Sequence, residues 1–172
     1  MRVGNLMRMM LIESSNDAAY AISAHAKAQG IDFMGEMNRK AKEVGMNESL
    51  FLDPAGLNDN AYSTAQDLVK LVVYALQYDE IWTSLQVKEL TLTSEDGAII
   101  HTVENTNQLL GTIQNISGGK TGYTDLALGC MILIVDIPGH RDKIVSIILG
   151  SEDRFGDTRK LVDWIIDAYR WE

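Results

Sequence analysis

Two short segments of this 172-residue chain hold side chains able to do chemistry. The first is Ser14-Ser15-Asn16, two hydroxyls and an amide in a polar turn after Glu13. Hydroxyl and amide groups both donate and accept hydrogen bonds, so they can serve a site or the backbone. Ser and Asn also cap helices by accepting from free N–H groups, and capping is the plainer reading. The second segment is Ser117-Gly118-Gly119-Lys120-Thr121-Gly122-Tyr123-Thr124. A cation and a hydroxyl among glycines let backbone approach a ligand closely. It is not a phosphate loop, because that pattern needs an earlier glycine that is not there. Taken alone, it reads as a Gly-rich turn entering a strand.

The elements around these segments change period halfway along the chain. Val3 to Ile12 reads as a short apolar helix ending at the polar turn. Asp17 to Gln29 is Ala-rich and is stopped by Gly30. Met34, Met37, Ala41 and Val44 share one face of a third helix, closed by Gly45. Residues 46–62 form a loop with a turn at Asp53-Pro54-Ala55-Gly56. Ser63 or Thr64 then caps a fourth helix with an apolar stripe of Leu68, Leu71, Val72, Ala75 and Leu76.

Beyond that helix, two hairpins are expected. Val87 to Thr93 and Ala98 to Val103 flank Ser94-Glu95-Asp96-Gly97. Ala127 to Ile137 and Lys143 to Leu149 flank Pro138 to Asp142. The second pair is apolar on both faces, which predicts central strands covered on both sides. A final helix from Asp157 to Trp171 offers a cover through Leu161, Trp164, Ile165, Ala168 and Tyr169. The expected fold class is α+β: one domain with an antiparallel sheet flanked by helices, plus a helical lobe.

Composition narrows the function. Fifteen Lys+Arg against 24 Asp+Glu give a net charge of −9, the wrong sign for neutralising nucleic-acid phosphates. The single Cys130 excludes an internal disulfide and a Cys-rich zinc site, and mid-strand it reads as a buried, inert thiol. His25, His101 and His140 lack ligand spacing, so neither metal nor cofactor is expected. The longest apolar stretch, Leu126 to Val135, is about half of the ~20 residues a spanning helix needs, and the N-terminus has no signal-peptide pattern.

Ser-x-Asn at Ser14 and Asn16, followed far downstream by Lys120-Thr121-Gly122, is similar to the serine penicillin-recognising enzymes. The text between them resembles one branch. MNRKAKEVGMNESLFLDPAGLNDNAYSTAQDL resembles the corresponding stretch of the D-alanyl-D-alanine carboxypeptidases. SSNDAAYAI resembles their Ser-x-Asn helix start, Asn105 to Leu110 their Asn-x-Leu-Leu segment, and GGKTGYT their Lys-Thr-Gly strand. LGSEDRFGDTRKLVDWI resembles their closing strand, loop and helix.

The resemblance implies a β-lactamase/DD-peptidase, transpeptidase-like fold and removal of D-Ala from peptidoglycan stem peptides through a serine acyl-enzyme. Its partners would be stem peptides ending in D-Ala-D-Ala, and β-lactams; it would work outside the cytoplasm. Ser14 would relay a proton to the leaving nitrogen. Asn16 would hold the substrate amide and orient the catalytic lysine. Lys120 would place positive charge beside Ser14 and the substrate carboxylate, which Thr121 would bind. Gly122 and Tyr123 would line the substrate strand, with the Tyr123 N–H donating to the oxyanion. Arg154 would help hold the carboxylate end.

One departure bears on activity. The family nucleophile is the serine of a helical Ser-x-x-Lys upstream of Ser-x-Asn, where the lysine amine takes the hydroxyl proton. None of the residues before Ser14 is a serine, and the chain's one match to the spacing is Ser117-Gly118-Gly119-Lys120. Two glycines make a poor helical turn. The chain is therefore expected to be a partial DD-peptidase catalytic domain over 1–172, without the N-terminal strand and Ser-x-x-Lys helix, and inactive alone. A nonenzymatic relative that binds the peptide, and a β-lactamase-like hydrolase, are the alternatives.

Overall fold

Helix α1 (Val3–Ile12) has neither a side-chain cap nor an acidic first turn, so packing must hold it. It buries Ile12 completely against Leu92 and Val103 of an antiparallel hairpin, β1 (Glu89–Thr93) and β2 (Ile100–Glu104). The register runs from Glu89 opposite Glu104 to Thr93 opposite Ile100, as the Ser94 to Gly97 turn predicts. Helix α2 (Asn16–Ala28) follows and stops at Gly30, whose φ of +78° is open to glycine without strain. Helix α3 (Phe33–Glu43) is capped by Asp32 and buries Ala41. Thr64, rather than Ser63, caps α4 (Ala65–Ala75), its Oγ1 accepting from the Asp67 N–H at 3.2 Å. The loop before α4 is pinned by two carboxylates. Asp53 accepts from the N–H groups of Ala55, Gly56, Leu57 and Asn58. Asp67 accepts from the Glu48 N–H and the Ser49 hydroxyl.

These elements make up one of two units in the computed structural model, which describes residues 1–170. The first unit takes Met1–Gln77 and Val87–Thr106. The second takes Tyr78–Gln86 and the chain from Asn107 onward.

The second unit is built on a three-stranded antiparallel sheet in the order β3 (Ile116–Thr124), β4 (Leu128–Asp136), β5 (Lys143–Ser151). β4 is central, but β5 lies at an edge of this sheet, which corrects the expectation that both strands are central. Successive residues of β4 point to opposite faces. Leu133 and Ile134 are both fully buried, so β4 is shielded on both sides. One face packs Met131, Leu133 and Val135 with Leu109, Ile144 and Val162.

Val162 comes from α6 (Arg154–Ala168), the expected cover, but of the stripe read from sequence Ile165 packs on this core while Trp164 and Tyr169 do not. Phe155, Thr158, Val162 and Ile165 face the sheet, whereas Trp164 and Tyr169 stand 57% and 55% exposed and meet edge to face. Trp171 lies outside the described residues. Helix α5 (Asp79–Leu85) was not legible. It has no side-chain cap, and it sets Trp82 and Leu85 against Gly118 of β3.

Candidate active site

In the first unit the polar turn divides its labour. Ser15 is the N-cap of α2, its Oγ accepting from the Ala18 N–H at 3.3 Å, and Asp17 sits favourably in the first turn. The capping reading therefore holds for Ser15 and leaves Ser14 and Asn16 unexplained by it. Asn16 is exposed at the first helical position. Ser14 is half-buried and left-handed, with φ +61°. A left-handed residue that ends a helix is usually glycine, and any other side chain costs roughly 1–2 kcal/mol there. An outlier of this kind makes Ser14 a candidate functional position.

In the second unit the Gly-rich segment forms strand β3 rather than a turn. Its first glycines answer to packing. A Cβ on Gly119 would lie 2.8 Å from the Ile132 carbonyl oxygen and 2.9 Å from Asn107 Nδ2. Packing does not account for Lys120 in the same way. It is half-buried opposite Ile132, and its Nζ donates to the Thr121 carbonyl at 2.9 Å. Burial, and then the nearby Arg154 guanidinium, push its pKa down to about 8. Thr121 is buried, and Tyr123 stands 61% exposed.

Arg154 opens α6, which Asp153 caps, and donates from Nη1 to the Gly122 carbonyl at 3.0 Å. Its guanidinium also lies over the Phe155 ring at 4.9 Å. Two cations thus converge on one end of β3, an edge strand, with a threonine between Lys120 and Gly122. That arrangement suits an extended peptide carrying a negative terminus.

Ser117, the alternative Ser-x-x-Lys serine, lies with Lys120 on an extended strand and not on a helical turn. Its buried hydroxyl accepts from Lys143 Nζ at 3.0 Å, and Lys143 also pairs with Asp136. Cys130 is half-buried, not buried as its apolar run suggests, because it sits one residue past Gly129 near the open end of β4.

The second unit thus gathers Lys120, Thr121, Gly122, Tyr123 and Arg154, and the first holds Ser14 and Asn16 in one turn. Sequence reasoning missed the contact between His101 and Glu13, the residue before Ser14, since nothing local links positions so far apart.

The fold is that of the penicillin-binding DD-transpeptidases. The Streptomyces K15 DD-transpeptidase structure matches with a TM-score of 0.87 at 26% identity, over 97% of this chain and 68% of that one. Penicillin-binding protein D2 of Listeria monocytogenes, in its cefotaxime-bound form, matches with a TM-score of 0.80 at 36% identity, over 95% of this chain and 66% of that one. A family-wide sequence pattern described as D-alanyl-D-alanine carboxypeptidase matches residues 1–153, and the chain belongs to this family. Among curated relatives, D-alanyl-D-alanine endopeptidase of Escherichia coli (strain K12) is 31% identical over 166 residues, 94% of this chain and 53% of that protein. D-alanyl-D-alanine carboxypeptidase DacF of Bacillus subtilis (strain 168) is 28% identical over 178 residues, 98% of this chain and 44% of that protein. The chain thus spans about half the length of these curated relatives.

Proposed function

We propose that this chain carries most of the substrate-binding machinery of a serine DD-peptidase. The substrate is a peptidoglycan stem peptide ending in D-Ala-D-Ala, and β-lactams compete for the same groups. The setting is the cell wall, outside the cytoplasm. One observation carries the reading: Lys120 and Arg154 place two cations beside Thr121 on an edge strand, where an extended peptide with a terminal carboxylate can add as a further strand.

In this reading the Thr121 hydroxyl and Arg154 receive the carboxylate, and Lys120 supplies charge next to it. The peptide runs along Gly122 and Tyr123, and the Tyr123 N–H donates to the oxyanion. Ser14 passes a proton to the leaving nitrogen, which departs with D-Ala, and Asn16 holds the substrate amide. The acyl bond needs a serine activated by an amine one helical turn away. Ser117 does not fit that part: its hydroxyl is engaged by Lys143, and its strand offers no such turn. These 172 residues alone therefore bind but do not acylate.

Intact-mass spectrometry with excess benzylpenicillin tests this. No adduct is expected from the 172 residues, and one adduct per chain is expected once a Ser-x-x-Lys helix is joined ahead of Met1. An adduct on the 172 residues that vanishes in Ser14→Ala would make Ser14 the nucleophile and overturn its relay role. An extended chain that binds stem peptide without ever acylating would favour a binding-only function.

A further inference from the structure

We infer that Glu13 and His101 form a latch that holds Ser14 in its left-handed conformation, so that both are positioning residues for the site. The inference rests on the proposed role of Ser14 and adds what makes that role possible.

Glu13 is the C-cap of α1 and immediately precedes Ser14. Its two carboxylate oxygens lie 3.0 and 2.9 Å from Nε2 of His101, a residue of β2 separated by 88 positions. A carboxylate oxygen accepts, so the contact forms with Nε2 as the donor. The contact is partly shielded, with side-chain exposures of 22% for Glu13 and 41% for His101. By contrast, the Arg2–Glu95 pair at the other end of α1 is 77% and 64% exposed and has water as a competitor on every side.

Two further contacts fix the same end of α1, one to the segment just after β2 and one to the hairpin itself. The Thr106 N–H donates to the Ile12 carbonyl at 3.2 Å, and Ile12 is fully buried against Leu92 and Val103. The chain then passes through φ +61° at Ser14, and the Ser15 N–H closes back onto the Met9 carbonyl at 3.2 Å. Serine has no preference for this conformation, so its surroundings must impose it. The Ser15 cap fixes the chain leaving Ser14. The Glu13–His101 contact fixes the chain entering it.

The test uses isotope-labelled chain with His101→Leu, His101→Gln and Glu13→Gln, and reads the Ser14 13Cα and 13Cβ shifts and the exchange rate of the Ser15 amide. In His101→Leu the Ser14 shifts should leave the left-handed range and Ser15 exchange should quicken at least tenfold, while the Val72 amide is unchanged. His101→Gln, which keeps a donor, should restore most of both. If His101→Leu does not fold, Glu13→Gln should show the same local change in weaker form. Unchanged Ser14 shifts in a folded variant, or loosening of Ser15 and Val72 together, would overturn the latch. None of these readouts depends on peptidase chemistry, which the penicillin assay on Ser14→Ala judges separately.

Discussion

Arg154 donates to the carbonyl of Gly122 at 3.0 Å and so holds a second positive charge close to Lys120 on the same strand. The Lys120 ammonium is pushed from an ordinary pKa of 10.5 down to about 8, by burial first and by Arg154 second. NMR titration of the Lys120 side chain should therefore give a midpoint near 8. Arg154→Gln should raise it only part of the way, because burial is the larger cause. A midpoint near 10.5 in the parent chain would refute the assignment.

The same shift makes stability depend on pH in a definite sense. A lysine with a folded pKa below its unfolded one opposes folding while protonated. Its cost is fully present below pH 8 and is relieved as pH rises from about 8 to 10.5. Urea midpoints should accordingly rise more steeply across that window in the parent chain than in Lys120→Met. Parallel profiles would show that Lys120 is not buried as described.

Gly119 is fixed by crowding on the strand that bears Lys120. A methyl group there would lie 2.8 Å from the Ile132 carbonyl oxygen, 2.9 Å from Asn107 Nδ2 and 3.0 Å from Leu133 Cδ1. Backbone cannot yield cheaply, so Gly119→Ala should cost about 1–3 kcal/mol in urea unfolding. Gly4→Ala, in helix α1 with nothing within 4 Å, is the control and should not destabilise, because alanine favours the helix.

Leu128 adopts φ +56° at the start of β4, a conformation costly for a bulky side chain. It is 36% exposed, so both glycine and alanine in its place give up the same partly covered side chain. Leu128→Gly should leave the chain more stable than Leu128→Ala, which keeps a Cβ, by about 1 kcal/mol. Equal effects of the two substitutions in thermal melts would show that the strain is not there.

Ser117 gives a direct check on the nucleophile. Its hydroxyl is held by Lys143, so Ser117→Ala should leave the benzylpenicillin mass result unchanged both in the 172 residues and after a Ser-x-x-Lys helix is joined. Loss of an adduct in Ser117→Ala would reinstate the Ser117–Lys120 pair.

What could be read from sequence followed from local rules. The bounds of α1 and the stops at Gly30 and Gly45 needed only apolar spacing and positive-φ glycines. The Asp53 turn and the Thr64 cap needed only side chains that satisfy nearby N–H groups. Lys120, Thr121 and Gly122 stand out as a motif in the sequence, and the family this motif points to is the one the chain belongs to.

The features missed are ones that distant residues decide. Helix α5 carries no cap signal and is stabilised by Trp82 and Leu85 packing on Gly118. The Trp164–Tyr169 stripe looked like a buried face because aromatic residues usually are one. In α6 the sheet takes the Val162 side instead. Neither the left-handed backbone of Leu128 nor the Glu13–His101 contact leaves any mark on neighbouring residues.

The two units interleave along the chain, since Tyr78–Gln86 belongs with residues that follow Asn107 although first-unit segments flank it on both sides. During synthesis α5 leaves the ribosome before any strand of its own sheet exists. It carries Trp82 exposed until Gly118 arrives, while the intervening β1–β2 hairpin can already pair with α1. The first unit can thus mature early, but the Lys-Thr-Gly strand gains its backing only after a loop that encloses that hairpin has closed. A single cut before Tyr78 would carry the β1–β2 hairpin along inside the second unit, because the hairpin is an insertion between α5 and the sheet that α5 packs on.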